Sequence, residues 1–163
     1  MKRESPMFGN VHAMIGIALL ALFSASTASA TDLAVHIENL SNSEGDVRVA
    51  LHQRVDGVDF PDDAGAVAGT FRRAAAGSMR FVFTDLPPGE YAVAAFHDQD
   101  ADGQLGTTVL GIPTEPYGFS NNARGFMGPA SFTSAAITVS ADDSALSITI
   151  QIEGQSPSIL FTR

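Results

Sequence analysis

Residues 146–152 read L-S-I-T-I-Q-I, with an apolar side chain at every second step. That period belongs to an extended strand with one buried face, and a helix cannot gather such residues on one side. The pattern recurs upstream. Leu33, Val35 and Ile37 alternate with Ala34, His36 and Glu38, and Val47, Val49 and Leu51 alternate with Arg48, Ala50 and His52. Phe81 and Phe83 mark a third strand with Arg80 and Thr84 on its other face, and Ile137 and Val139 mark a later one, joined to 146–152 through Asp142-Asp143. Asn42–Asp46 and Pro87-Pro88-Gly89 supply turns, since proline fixes φ and glycine permits the reversal. The strand after the second turn, Tyr91–Phe96, is apolar on both faces, which suits a central place in a covered sheet. A Gly/Asp/Ala-rich stretch covers 56–69, and Ala64–Ala76 has room for a turn or two of helix. The expectation is an all-β chain folded as an antiparallel β-sandwich of about seven strands.

Two regions break the alternation. Residues 97–104 read H-D-Q-D-A-D-G-Q, three aspartates two apart and then a glycine. Carboxylates at alternate positions of a tight loop converge on one point, and calcium takes six to eight such oxygens. Asp98, Asp100, Asp102, Gly103 and Gln104, the last through its carbonyl, fit positions one, three, five, six and seven of a calcium loop. Position twelve should be a bidentate Glu and is Val109, and strands flank the loop. An EF-hand is therefore excluded, and a ligand from further away is needed. Glu115 is the nearest acidic candidate, and Asn121 and Asn122 offer side-chain oxygens beyond it. An all-oxygen set favours calcium over zinc. The competing reading is a solvated turn, because Asp and Gly are good turn formers without any ion.

The second irregular region runs from Gly111 to Phe132. It holds three prolines, four glycines and the aromatics Tyr117, Phe119, Phe126 and Phe132. Disordered segments are poor in aromatics. The segment is expected to be an ordered cover over an edge or end of the sandwich. Tyr117, Phe119 and Phe126, with Asn121 and Asn122, are candidates for a binding surface. Packing of the aromatics into a small satellite core beneath the loop is the stronger expectation.

The N-terminus carries Lys2 and Arg3, an apolar run over 14–23 and the small-residue sequence Ala28-Ser29-Ala30. That is the layout of a secretory signal peptide over 1–30, too short for a membrane span. The remainder divides into a β-sandwich domain, 31–154, and a tail, 155–163, whose Ile159-Leu160-Phe161 suits an edge strand. Residues 31–163 hold seven arginines, no lysine and 17 carboxylates, a formal charge of −10. Such a surface repels nucleic acid and anionic lipid and suits cations. The chain has no cysteine, so neither a disulfide nor a lipidated cysteine can hold it. An exported protein, periplasmic or secreted, without membrane insertion after cleavage, is expected.

Three motifs in order carry a resemblance. The runs L-P-P-G-E-Y-A-V-A-A-F-H-D-Q-D-A-D-G-Q-L (86–105), G-I-P-T-E-P-Y-G-F-S-N-N (111–122) and G-P-A-S-F (128–132) resemble the exported bacterial family catalogued as domain of unknown function 2141. Thr107-Thr108 stand where Asp or Asn is common in that family, and Ala130 is a further minor departure. The resemblance implies a small exported β protein and no established activity. The L-P-P-G-E-Y turn is also similar to carboxypeptidase-regulatory-like and transthyretin-like sandwiches, so a transthyretin-like or immunoglobulin-like arrangement is implied, which speaks to fold alone.

Three functions compete. The first is a binding or structural module with a calcium site formed by Asp98, Asp100, Asp102, Gln104 and Glu115, whose partner is a protein or glycan of the cell envelope. The second is a metal-assisted hydrolase using His97 with Asp98 or Glu115. No G-x-S-x-G or H-E-x-x-H motif supports it, and no catalytic residue is assigned. The third is a cell-envelope assembly partner that uses an exposed strand edge.

Overall fold

The computed structural model describes residues 30–126 and 128–153. The signal peptide expected over 1–30, Ala30 apart, and the tail expected over 155–163 lie outside the described residues. Eight strands follow in order: β1 (Thr31–Leu40), β2 (Asp46–His52), β3 (Ala66–Arg73), β4 (Gly77–Leu86), β5 (Gly89–Asp98), β6 (Tyr117–Phe119), β7 (Ile137–Val139) and β8 (Ala145–Gln151). A single turn of helix, α1 (Phe132–Ala135), precedes β7.

The strands form two sheets. One has the order β4-β1-β8, the other β3-β2-β5-β6, with β7 also pairing to β5. The alternation read in the sequence is the alternation that packs them. Leu33, Val35 and Ile37 of β1, Val47, Val49 and Leu51 of β2, Phe81 and Phe83 of β4, and Tyr91, Val93 and Ala95 of β5 meet in one core. Their apolar surface, removed from water on both inner faces, is the main stabilising term. Strand β5 is central as expected: it pairs with β2 along Asp98–Ala92 and with β6 through Ala94–Phe96. An all-β sandwich is thus the architecture.

Two features depart from the expected pattern. Strand β8 lies parallel to β1, from Asp32 opposite Ala145 to Glu38 opposite Gln151. Residues 137–139 and 146–152 do not form a hairpin, because β7 belongs beside β5 and the chain crosses between sheets at Ser140–Ser144. Asp143 fixes that crossing: its carboxylate accepts from the Ser140 N–H at 2.9 Å and its carbonyl accepts from the Thr31 hydroxyl at 2.7 Å. The second departure is β3, which occupies residues where a helical turn was expected. Its ladder runs from Arg73 opposite Asp46 to Ala66 opposite His52. It is an edge strand, exposed along most of its length, so the backbone pairing with β2 holds it and no buried face shapes its sequence.

Residues 111–126 and 128–136 form the ordered cover, and of its aromatics Phe126 departs from the expected satellite core, standing almost fully in solvent. The cover packs over the outer face of the larger sheet, where Phe119, Ala130, Phe132 and Ala135 join Phe60 and Ala92 in a second apolar cluster. Phe60 is the hub, with T-shaped contacts to Phe119 at 5.2 Å and Phe132 at 6.2 Å. Ser120 pins the cover down. Its buried hydroxyl donates to the Ala135 carbonyl at 2.5 Å and accepts from the Val93 N–H at 2.9 Å. Replacing Ser120 with Ala leaves both groups unpaired in the interior. Urea unfolding of that variant should show a loss of about 2 kcal/mol, whereas Ser131→Ala, at an exposed cap, should lose less.

Candidate ion-binding loop

The loop begins at the last residue of β5. Asp98 is without solvent exposure, and a buried carboxylate must be paired and hydrogen-bonded. Arg48 of β2 donates through Nε to Asp98 Oδ2 at 2.6 Å. The N–H groups of Asp102 and Gly103 bond to Oδ1 and Oδ2 at 3.1 and 3.0 Å. One carboxylate therefore curls the loop around itself. Gly103 takes φ +89°, and a Cβ there would meet the Arg48 guanidinium at 3.4 Å. Arg48 is fixed from its other side by stacking on Phe71, 4.7 Å from the ring centre.

Asp100 and Asp102 continue the arc. Asp100 Oδ1 accepts from the Asp102 N–H at 3.2 Å, and Asp102 Oδ1 accepts from the Gln104 N–H at 2.7 Å. One carboxylate oxygen from each of Asp98, Asp100 and Asp102 lies within 4.8 Å of the others, the first buried and the other two exposed. Three carboxylates against one guanidinium leave two negative charges uncompensated at this point.

The more distant candidates are placed as follows. Glu115 is buried, and its two oxygens accept from the N–H groups of Gln99 and Gly106 at 2.7 and 2.8 Å. It clasps both ends of the loop and is not part of the aspartate cluster. Asn121 donates to the carbonyls of Ser134 and Ala136, and Asn122 accepts from the Gln151 N–H. Both fasten the cover to its neighbours. Phe119 is buried in the second cluster and Tyr117 is half-buried against it, their rings 5.6 Å apart. His97 is fully buried on the core side of β5, and its Nε2 donates to the Glu44 carbonyl at 2.7 Å. Its Nδ1 has no partner among the described residues. A general base there would have no access to substrate.

Arg48 is the site residue that motif spacing alone missed. It lies 50 residues before Asp98 in the chain, and the signal available was a lone arginine on the polar face of a strand. Gly45 was also unmarked. It takes φ +62°, and an added Cβ would lie 1.8 Å from the Asp98 carbonyl oxygen, so the β1–β2 turn packs directly on the loop's first peptide.

A second concavity lies at the far end of the same sheet face. It has a volume of about 200 Å³ and is lined by His52, Arg54, Asp56, Phe60, Asp62 and Phe132. His52 is buried edge-on to Phe60 at 5.1 Å.

The family model described as an uncharacterized protein conserved in bacteria (DUF2141) matches residues 35–147. The chain belongs to this family. That stretch spans most of β1 through the start of β8 and contains the aspartate loop and the cover. No curated protein and no solved structure matches the chain.

The electrostatics of these groups give two predictions. Burial pushes the Asp98 carboxyl up, but the Arg48 hydrogen bond, the Gly103 N–H, the Arg48 charge and the Asp102 N–H together hold it below its ordinary 3.8. The unfolded chain therefore binds this proton more readily than the folded one. Stability from this group is present above about pH 3.8 and is lost as pH falls through the lower folded value. Arg48→Met should cost about 3 kcal/mol in urea unfolding at pH 7, because it strands a buried charge, and should flatten the loss below pH 3.8.

His52 works in a higher window. Burial pushes its ring below 6.5, against the opposing pull of Asp63 and Asp62. Stability should be full above pH 6.5 and decline as the unfolded histidine gains a proton that the folded one resists. Denaturant midpoints between pH 7.5 and 5.5 should fall in the native protein and fall less in His52→Gln.

Proposed function

We propose that the protein is an exported β-sandwich module that binds calcium at its aspartate loop and serves as a binding or structural element of the cell envelope. The observation that carries this reading is the convergence of Asp98, Asp100 and Asp102, with oxygens within 4.8 Å of one another and a residual negative charge. The donor set suits a hard cation. Asp98, Asp100 and Asp102 would hold the ion, with the Gln104 carbonyl expected from the loop spacing, and Glu115 would keep the loop's ends in place. Bound calcium would neutralise the exposed limb of the loop that Arg48 does not reach. Export is supported by the basic start, the apolar run and the Ala28-Ser29-Ala30 sequence.

A partner role is favoured by the turn that follows the loop. The Thr108 N–H donates to the Ile112 carbonyl at 2.8 Å, and the Thr108 hydroxyl accepts from the N–H groups of Leu110 and Ile112. This fixed turn presents Val109 and Leu110 fully to solvent. Adjacent apolar side chains held in solvent on a fixed tip suit a surface that a partner covers. The hydrolase reading is disfavoured by the burial of His97.

Thermal unfolding in 10 mM calcium and in chelator tests the ion. For a site of millimolar affinity, typical of extracellular modules, mass action gives about 1.4 kcal/mol, a rise of about 5 °C for a domain of this size. Asp100→Ala should remove the shift and leave the fold intact. Equal midpoints with and without calcium would overturn the proposal.

A further inference from the structure

Strand β3 is hydrogen-bonded on one side only, to β2. Its other edge leaves a row of backbone N–H and C=O groups free among the described residues, a template for another strand. Along this edge two large apolar side chains stand in solvent, Val67 at 51% and Phe71 at 58% exposure. Phe71 shares the outer face with Arg48, its cross-strand neighbour, and Gly69 lies between with Ala50 as its neighbour. A β-bulge at Leu51–His52 sets Ala66 opposite His52 and leaves Val67 as the extra residue, so Val67 turns to the same side as Phe71.

We propose that this edge pairs with the same edge of a second copy of the chain, antiparallel about a two-fold axis at Gly69. A two-fold perpendicular to the sheet keeps side chains on their own faces, so residues that oppose each other must share a face. Centring on Gly69 satisfies this. It sets Phe71 opposite Val67 of the partner subunit, twice by symmetry, and Gly69 opposite Gly69 of the partner subunit. Aromatic and β-branched residues directly opposite one another are the favourable cross-strand pair. Centring one residue later, on Thr70, sets Phe71 against glycine and Val67 against arginine.

Charge selects the same occupant. The strand is approached through Asp62 and Asp63, both exposed, and ends in Arg73, also exposed. Antiparallel pairing brings the basic end of each strand to the acidic approach of the other, and in the Gly69 register Arg73 comes opposite Gly65 of the partner subunit, at the 3-10 turn Asp63–Gly65 that Asp62 caps. The edge is thus complementary to itself, in a chain whose net charge otherwise opposes self-association. Arg72 is already committed elsewhere. It stacks on Phe81 and donates to the Arg80 carbonyl at 2.8 Å, which ties β3 to β4 and leaves the outer edge open. This interface does not involve the carboxylates of Asp98, Asp100 and Asp102, and it stands whether or not they bind calcium.

The chain has no cysteine, so a single introduced thiol reports the register. Directly opposed residues in an antiparallel pair have Cα atoms about 4.5–5.5 Å apart, within disulfide range. A Cβ at Gly69 meets nothing closer than 3.9 Å. Gly69→Cys, in protein purified as the expressing bacterium processes it, should oxidise to a covalent dimer at least tenfold faster than the exposed control Val82→Cys and faster than Thr70→Cys. Without cysteines, sedimentation equilibrium should find a dimer that Phe71→Lys and Arg73→Glu each weaken at least tenfold. Asp63→Arg combined with Arg73→Glu should restore association. A native protein that remains monomeric to 1 mM would overturn the proposal. So would a dimer indifferent to these substitutions, or a Gly69 thiol that oxidises no faster than the control.

Discussion

A carboxylate with no exposure to water sits at the end of the central strand, and the geometry around it follows from the need to satisfy it. Asp98 requires a cation and several hydrogen-bond donors. Arg48 provides the first, which commits β2 to lie beside β5 with its polar face turned to the loop. The N–H groups of Asp102 and Gly103 provide the others, which commits the loop to a tight curl. The next peptide of the loop is held by Glu115, and the carbonyl of Asp98 is met by Gly45 in the β1–β2 turn. Beside it His97 locks the same turn through the Glu44 carbonyl. Two adjacent buried polar residues, facing opposite sides of one strand, thus fasten a turn, a loop and the start of the cover to a single place.

The same constraint would make a bound ion a second fastener, not the first. In a loop organised only by a metal, all the carboxylates would repel one another until it arrived. Here the guanidinium neutralises the buried aspartate, and backbone N–H groups hold the exposed pair. The loop has its shape from protein hydrogen bonds, and the remaining charge is concentrated on Asp100 and Asp102. A dication would gain from that charge but would share Asp98 with Arg48, an arrangement suited to weak binding.

Much of the fold was legible because one-sided burial writes a period of two into sequence. Strands β1, β2, β4, β5 and β8 carry it plainly, and the run apolar on both faces correctly marked β5 as central. Strand β3 was not legible for the converse reason. An edge strand with little burial is held by backbone pairing, which leaves no mark on side-chain choice, and A-V-A-G-T-F-R-R reads as well for a helical turn. The parallel placement of β8 was hidden as well, since alternation reports which face is buried and not which neighbour supplies the ladder. In the site, the local aspartates were readable from spacing. Their partner Arg48 was not, because only the β2–β5 register brings residues 48 and 98 together. Nothing in the residue type of Glu115 distinguished an ion ligand from an acceptor for two backbone N–H groups.

The arginines show how a cysteine-free, acidic chain distributes its few cations. Arg48 joins Phe71 to the aspartate loop, Arg54 lies over Phe132 and donates to Thr133, and Arg72 joins Phe81 to the Arg80 carbonyl. Arg124 pairs with Glu153. Three of them stack on an aromatic ring and donate beside it: Arg48 and Arg54 thereby join segments distant in sequence, and Arg72 joins β3 to β4, the strand that follows it. Arginine can do this because its planar group packs on a ring face and still directs N–H groups outward. A lysine ammonium, compact and strongly hydrated, cannot. The absence of lysine after residue 2 fits a structure in which the engaged positive charges serve as cross-links between layers. Arg73, exposed at the end of β3 and outside this set, is free to meet a surface beyond the chain itself.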